Sequence, residues 1–279
     1  MLVTFFATIA TTGCASVETP SSPPATDSHI VDITRSFPSE LPKGSSRFED
    51  TQLFFVHADQ ASEFAASLLV PIPFITDAIV DSSKDKATEQ LEKEYRSVSV
   101  YEITQQELGR HPSLKAGSGG YRLYPMLFIE ECYDDLYRLS LAYQVENSGW
   151  FGRYYYHLPF TMPREDIGAP SPEELNSIGE QLHTGARRLL DIITSDVDGK
   201  LVASGNQATV GSLYIVGSKV GGIASPLLMK YRNAEILEET ETAVIVRLPG
   251  DPGADAKSGG MSYGVLFFGK DQLHTFERD

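Results

Sequence analysis

The clearest hydrophobic pattern in the chain is an alternation. Tyr137, Leu139, Leu141, Tyr143 and Val145 are separated by Arg138, Ser140, Ala142 and Gln144. A period of two puts every second side chain on one face, so this segment predicts a half-buried strand. Apolar runs flank it at 121–129 and 151–160. The links are short and turn-like, residues 132–135 on one side and Asn147-Ser148-Gly149 on the other. The three runs predict an antiparallel meander.

Two segments follow a helical period instead. Between about 74 and 95, Ile75, Ile79, Ala87, Leu91 and Tyr95 recur every four or eight positions, and Lys84, Asp85, Glu89, Glu92 and Lys93 occupy the other face. The second helix opens with Ser171-Pro172-Glu173-Glu174. That places a hydroxyl at the N-cap, Pro at the first helical position and Glu three residues after the cap. Leu175, Ile178, Leu182, Ala186, Leu189 and Ile193 then repeat at helical spacing. A strand at 52–57, a helical stretch at 62–69 ended by Pro71 and Pro73, and a strand at 97–103 are expected before the meander. Asp198-Gly199 turns the chain into further strands near 200–203, 212–217, 227–237, 242–248, 262–268 and 273–276.

Runs of helix followed by runs of strands indicate an α+β class. The expected architecture is antiparallel sheet built from hairpins and meanders, with two long amphipathic helices. Residues 48–279 form the body. Its sub-halves, 48–163 and 171–279, share one order of elements. Ile129-Glu130-Glu131 and Leu237-Glu238-Glu239 open similar hairpins, which raises an internal duplication.

The net charge of −15 lies entirely after residue 16. A surface this acidic, with no Lys/Arg cluster, repels phosphate backbones and argues against nucleic-acid partners. Residues 2–13, Leu-Val-Thr-Phe-Phe-Ala-Thr-Ile-Ala-Thr-Thr-Gly, are uncharged and apolar or small. They are too few to span a bilayer as a helix but suit the apolar region of a signal peptide. Cys14 follows Gly13 and precedes Ala15-Ser16. Thr12-Gly13-Cys14 resembles the lipobox of bacterial lipoproteins. The resemblance implies a signal peptide at 1–13, a mature chain starting at a lipidated Cys14, and a membrane partner through that lipid. With no Asp after the Cys, it further implies an outer-membrane lipoprotein of the cell envelope. Conventional cleavage after Ala15 or Ser16 is the competing reading and would release a soluble secreted protein. Residues 17–29, rich in Pro, Ser and Thr, have little to bury, so 14–47 is expected to act as a flexible linker.

Chemical motifs are sparse. Residues 264–270 have phosphate-loop spacing, but four bulky apolar residues fill the interior and Asp271 follows Lys270. A strand is the better reading. Ser83-Lys84-Asp85-Lys86 lies on a charged helix face, and Asp196-Val197-Asp198-Gly199 lacks the later ligands of a calcium loop. None of the six histidines sits at metal-ligand spacing from another His or a Cys, so neither metal nor cofactor is expected. Cys132 reads as a small buried hydrophobe.

One segment is unusual. Residues 150–157 contain the sole Trp, three consecutive tyrosines, an Arg and a His. On a strand, Tyr154 and Tyr156 face one way, while Arg153, Tyr155 and His157 face the other. Trp150, Arg153, Tyr155 and His157 are therefore candidate binding residues for an envelope protein or a glycan. The leading expectation is a non-catalytic binding or assembly role. An envelope hydrolase assembled only in three dimensions, with His157 or His183 as base, is the alternative. A third reading gives residues 64–80 a membrane contact.

Overall fold

The computed structural model describes residues 23, 29–36, 45–47, 51–56, 91, 93–132, 134, 136–214, 230–248 and 264–279. The first strands are β1 (Ile30–Ile33), β2 (Ser45–Arg47), β3 (Leu53–Val56) and β4 (Lys115–Ala116). Three long ones follow: β5 (Tyr121–Glu131), β6 (Leu136–Asn147) and β7 (Trp150–Pro163). Then come β8 (Gln207–Ser212), β9 (Lys230–Glu239), β10 (Ala243–Leu248), β11 (Gly264–Gly269) and β12 (Leu273–Arg278). Helix α1 spans Val100–Arg110 and α2 spans Pro172–Val197.

Strands β5, β6 and β7 pair antiparallel along their lengths. Ser148 and Gly149 join β6 to β7 with φ of 50° and 85°. Two positive φ values make a type I′ turn, whose twist matches the flanking strands, and Gly149 adopts its angle without steric cost.

The rest of the sheet corrects the expected fold class. All twelve strands described belong to one mixed sheet, not to antiparallel hairpins alone. β1 and β3 both run parallel to β5, side by side along its free edge. β4 runs parallel to β1, and β11 runs parallel to β7. The order is β12-β8-β9-β10-β11-β7-β6-β5-β1-β4, with β3 and β2 branching from β5. The second set of strands thus extends the first sheet and does not repeat it as a copy. Parallel partners far apart in sequence leave no turn signal between them, which is why the pattern gave no warning. Residues 200–203 are not a strand.

Among the described residues there is one long helix, not two. Most of the helix expected at 74–95 lies outside the described residues, as do 62–69 and the stretch 64–80. α2 forms as expected. The Ser171 hydroxyl accepts from the Glu174 N–H, and the Glu174 carboxylate accepts from the Ser171 N–H. At its far end Asp196 accepts from the Tyr154 hydroxyl at 2.7 Å and from Arg247 at 2.9 Å, which ties the helix to β7 and β10. No helix of the described residues is long and apolar enough to cross a membrane.

α1 replaces the strand expected at 97–103. Ser99 caps it by accepting from the Glu102 N–H, a Ser-x-x-Glu start hidden among β-branched neighbours. Its buried face carries Thr104 and Glu107 beside Val100 and Leu108, so no apolar stripe shows in the sequence. Those polar groups have partners. The Thr104 hydroxyl meets Tyr143 at 2.8 Å, and Glu107 accepts from Arg110 at 2.8 Å and pairs with His183 at 2.7 Å.

Two cores result. One lies between the sheet and the helices, with Leu139, Leu141, Tyr143, Tyr154 and Tyr156 facing Ile178, Leu182 and Leu189. The other lies inside the sheet itself. Met126, Phe128, Ala142 and Tyr155 meet Val210, Ala234, Val246 and Phe268 there, so the sheet is rolled around its second face. Its far end closes onto the meander. The Tyr214 hydroxyl donates to the Leu158 carbonyl, and the Gln272 amide donates to the His157 carbonyl. The face of β6 expected to meet water is therefore interior for most of its length.

Candidate functional site

The interior face of the rolled sheet is ordered in rows, because directly paired residues share a face. Asp32 on β1 pairs with Arg122 on β5, Arg122 with Glu146 on β6, and Glu146 with Phe151 on β7. One step inward lie Tyr124, Gln144 and Arg153. Beyond them come Met126, Ala142 and Tyr155, and then Phe128, Ser140 and His157. The first row is open to solvent; the others are buried.

That first row floors a cleft of about 470 Å³, completed by Trp150, Asn147 and the backbone at Gly119 and Gly120. The size falls in the range of about 300–1,000 Å³ typical of small-molecule sites. The β6–β7 turn carries Trp150 to its rim. β1 supplies Asp32, and its seat against the loop is close: a Cβ on Gly120 would stand 2.1 Å from the Ile30 carbonyl oxygen.

The row behind holds the floor in place. Glu146 accepts from Gln144 at 2.7 Å through one oxygen and from the Tyr124 hydroxyl at 3.1 Å through the other. Arg153 donates to Gln144 at 3.0 Å, and its guanidinium lies 5.1 Å from the Phe151 ring centre. Tyr124, and after it Asp32 and Glu146, raise the pKa of Arg122. The site thus carries charges in the order minus, plus, minus across three strands.

The four residues singled out in 150–157 do not form one exposed face. Trp150 lines the cleft. Arg153 is 5% exposed and supports the cleft from behind. Tyr155 and His157 lie deeper, buried in the rolled interior. Cys14 lies outside the described residues. Asp32, Arg122 and Glu146 escaped sequence reasoning because their row exists only through the register of β1 on β5. The Asn147-Ser148-Gly149 turn was the one local signal pointing to this end of the sheet.

A second polar group lies at the closed end. The Ser140 hydroxyl donates to Glu130 at 2.6 Å and lies 2.7 Å from His157 Nδ1. A hydroxyl has one proton, so Nδ1 must donate to Ser140 and Nε2 carries the bare lone pair. Nε2 is buried and finds no hydrogen-bond partner among the described residues. The ring is enclosed by Tyr214 at 4.1 Å and Phe268 at 4.6 Å. Burial pushes the His157 pKa down to about 3. Serine, histidine and acid are in contact, but in the wrong order for a nucleophile. Serine gives its proton to the acid, and the histidine nitrogen beside it is already protonated.

The chain gives no match to protein-family models, to characterised protein sequences or to solved structures. Gly260-Met261-Ser262-Tyr263-Gly264 has the Gly-x-Ser-x-Gly spacing of a nucleophile elbow, which requires a strand-to-helix turn. Here the pattern leads into strand β11, and Ser262 lies outside the described residues. The phosphate-loop spacing at 264–270 falls on β11 and the start of the 3-10 turn Lys270–Gln272. His183 is engaged by Glu107 on the helix side of the sheet.

Cys132 is enclosed near the same closed end, with its thiol 3.3 Å from the Leu213 carbonyl. Burial, and then Glu130, push its pKa up to about 12. The thiolate is the reactive form, so this sulfur is inert in the fold. In a Cys14→Ser variant, a thiol reagent such as DTNB should react with Cys132 only at the rate of unfolding. Labelling complete within seconds in native buffer would contradict this placement.

Proposed function

We propose that this chain is a lipid-anchored envelope protein whose body binds a ligand or partner through the Asp32–Arg122–Glu146–Trp150 cleft, without transforming it. The observation that carries the binding role is the cross-strand row itself. Three charged groups and the Phe151 ring converge on one open concavity, and hydrogen bonds from Gln144 and Tyr124 fix Glu146 before anything binds. Such preorganisation lowers the cost of recognition.

The envelope setting rests on residues 2–16 and on the Pro/Ser/Thr-rich segment after them. Fifteen residues separate Cys14 from β1, a reach of at most roughly 50 Å when fully extended. β1 is the first described strand after that segment and contributes Asp32, which supports placing the cleft at the tethered end of the body.

The test is photo-crosslinking in cells. A photoreactive residue at Ser118, exposed and next in sequence to the cleft-lining Gly119, should give a discrete adduct in the membrane fraction. The same probe at Thr184, exposed on α2, should not. Cys14→Ser should shift the protein out of that fraction. Equal adducts from both positions, or none from Ser118, would defeat the binding role. A Cys14→Ser protein that stays membrane-bound would defeat the anchor.

A further inference from the structure

We infer that the cleft takes a zwitterionic ligand, a free α-amino acid with an apolar side chain. This deepens the binding role proposed above and rests on it. The argument starts from the order of groups along the open row. Asp32, Arg122, Glu146 and Phe151 are successive cross-strand neighbours on β1, β5, β6 and β7, so all four share one face and line one cleft. Neighbouring strands stand about 4.8 Å apart, so side chains from three of them can close on adjacent atoms of one small molecule. From Arg122 onward the row offers a cation, then an anion, then an apolar ring. An amino acid presents the complement in the same order, with carboxylate, ammonium and side chain all carried by one carbon.

Each group suits its part. The Arg122 fork matches a carboxylate with two parallel N–H donors. Among the described residues no ion pair joins Arg122 to Asp32 or Glu146, so the guanidinium is not paired within the row. Glu146 is aimed by Gln144 and Tyr124, one at each carboxylate oxygen. Each oxygen keeps a second lone pair for an ammonium hydrogen. Phe151 is half-buried on the floor and supplies the apolar surface. Ligands of a single sign fare worse. A cation drawn by Asp32 and Glu146 meets the guanidinium between them. An anion drawn by Arg122 meets a carboxylate on each side, inside a chain of net charge −15. That repulsion is strongest for a doubly charged phosphate, whereas an amino acid brings one negative charge with its own ammonium beside it.

The experiment is titration calorimetry of the full chain in non-ionic detergent, with L-leucine and L-phenylalanine as probes. Isoamylamine and isocaproate each keep one charge of leucine, and phenethylamine and hydrocinnamate each keep one of phenylalanine. Phosphoethanolamine carries the charges of a lipid headgroup. A saturable heat is expected with at least one amino acid. Its matching amine and acid, and phosphoethanolamine, should each bind about tenfold or more weakly, the loss of one charge-assisted pair. Arg122→Gln should weaken the amino acid by the same factor while the matching amine binds as well as before or better, which general damage to the fold would not produce. The urea midpoint of Arg122→Gln should stay at the wild-type value, because Arg122 is exposed. No heat from either amino acid, a lone amine, a lone acid or phosphoethanolamine binding as tightly, or an affinity unchanged in Arg122→Gln would overturn the inference. If the amino acids fail while Ser118 still captures an adduct, the zwitterion assignment falls and the binding role stands. If both fail, both fall.

Discussion

Between pH 7.5 and pH 5 the folded chain should lose about 2 kcal/mol of stability through His157 alone. The cause is the enclosed ring at the closed end of the rolled sheet. Burial holds its pKa at about 3, against an ordinary 6.5. Below pH 6.5 the unfolded chain takes up a proton that the fold refuses. The stability conferred by the neutral ring is complete above pH 6.5 and is lost as pH falls toward 3. The slope is up to about 1.4 kcal/mol per pH unit, a large share of the 5–15 kcal/mol that domains typically possess. Glu130, one hydroxyl away, would favour the charged ring if it governed the site. The two effects therefore predict opposite outcomes.

Urea titrations at pH 7.5 and pH 5, followed by Trp150 emission, decide between them. His157→Phe keeps a ring between Tyr214 and Phe268 and removes the proton site. Its stability should change between the two pH values by about 2 kcal/mol less than the wild type. The lowered carboxyl pKa values of Asp134, Glu174, Asp198 and Glu239 act below about pH 4.5, outside this window. Asp196, whose pKa burial raises, acts in the opposite direction and is common to both proteins. An equal pH slope in wild type and His157→Phe would show that the ring's burial does not control its charge.

The elements that were legible in the sequence are those with local causes. α2 announced itself through Ser171, Pro172 and Glu174 and a helical stripe that ends in the buried Ile193. The meander announced itself through the alternation at 137–145 and a turn ending in Gly149. α1 was misread because Thr104 and Glu107 face inward, and their partners Tyr143 and His183 lie 39 and 76 residues away. A polar residue satisfied across such a distance looks like surface in one dimension. The sheet's roll was hidden for a related reason. Ser140 and Gln144 sit on the polar side of β6, yet both are buried by strands that arrive from the other half of the chain. The cleft is the extreme case. Asp32 is a lone acid in a short strand, and only its parallel register on β5 sets it beside Arg122.

The same dependence on distant pairing makes Gly264→Ala a strongly damaging substitution. β11 connects β8, β9, β10 and β12 to the meander by pairing with β7. Gly264 opens that strand with φ +144°, and a Cβ there would stand 2.4 Å from the Arg153 carbonyl oxygen. The added methyl meets backbone, not a movable side chain, so the angle and the seam must both give. Backbone strain and overpacking together should cost roughly 2–6 kcal/mol. Gly179→Ala is the contrast. It lies within α2 with nothing within 4 Å of the new Cβ, and should stabilise by up to about 1 kcal/mol. Urea midpoints measure both. Because Arg153 also donates to Gln144 and lies over Phe151, prying β11 from β7 should disturb the cleft as well. Trp150 emission in the folded Gly264→Ala protein should then differ from wild type, whereas Gly179→Ala should leave it unchanged. A midpoint within about 0.5 kcal/mol of wild type would mean the halves are joined by something other than this parallel seam, since surface substitutions alone fall in that range.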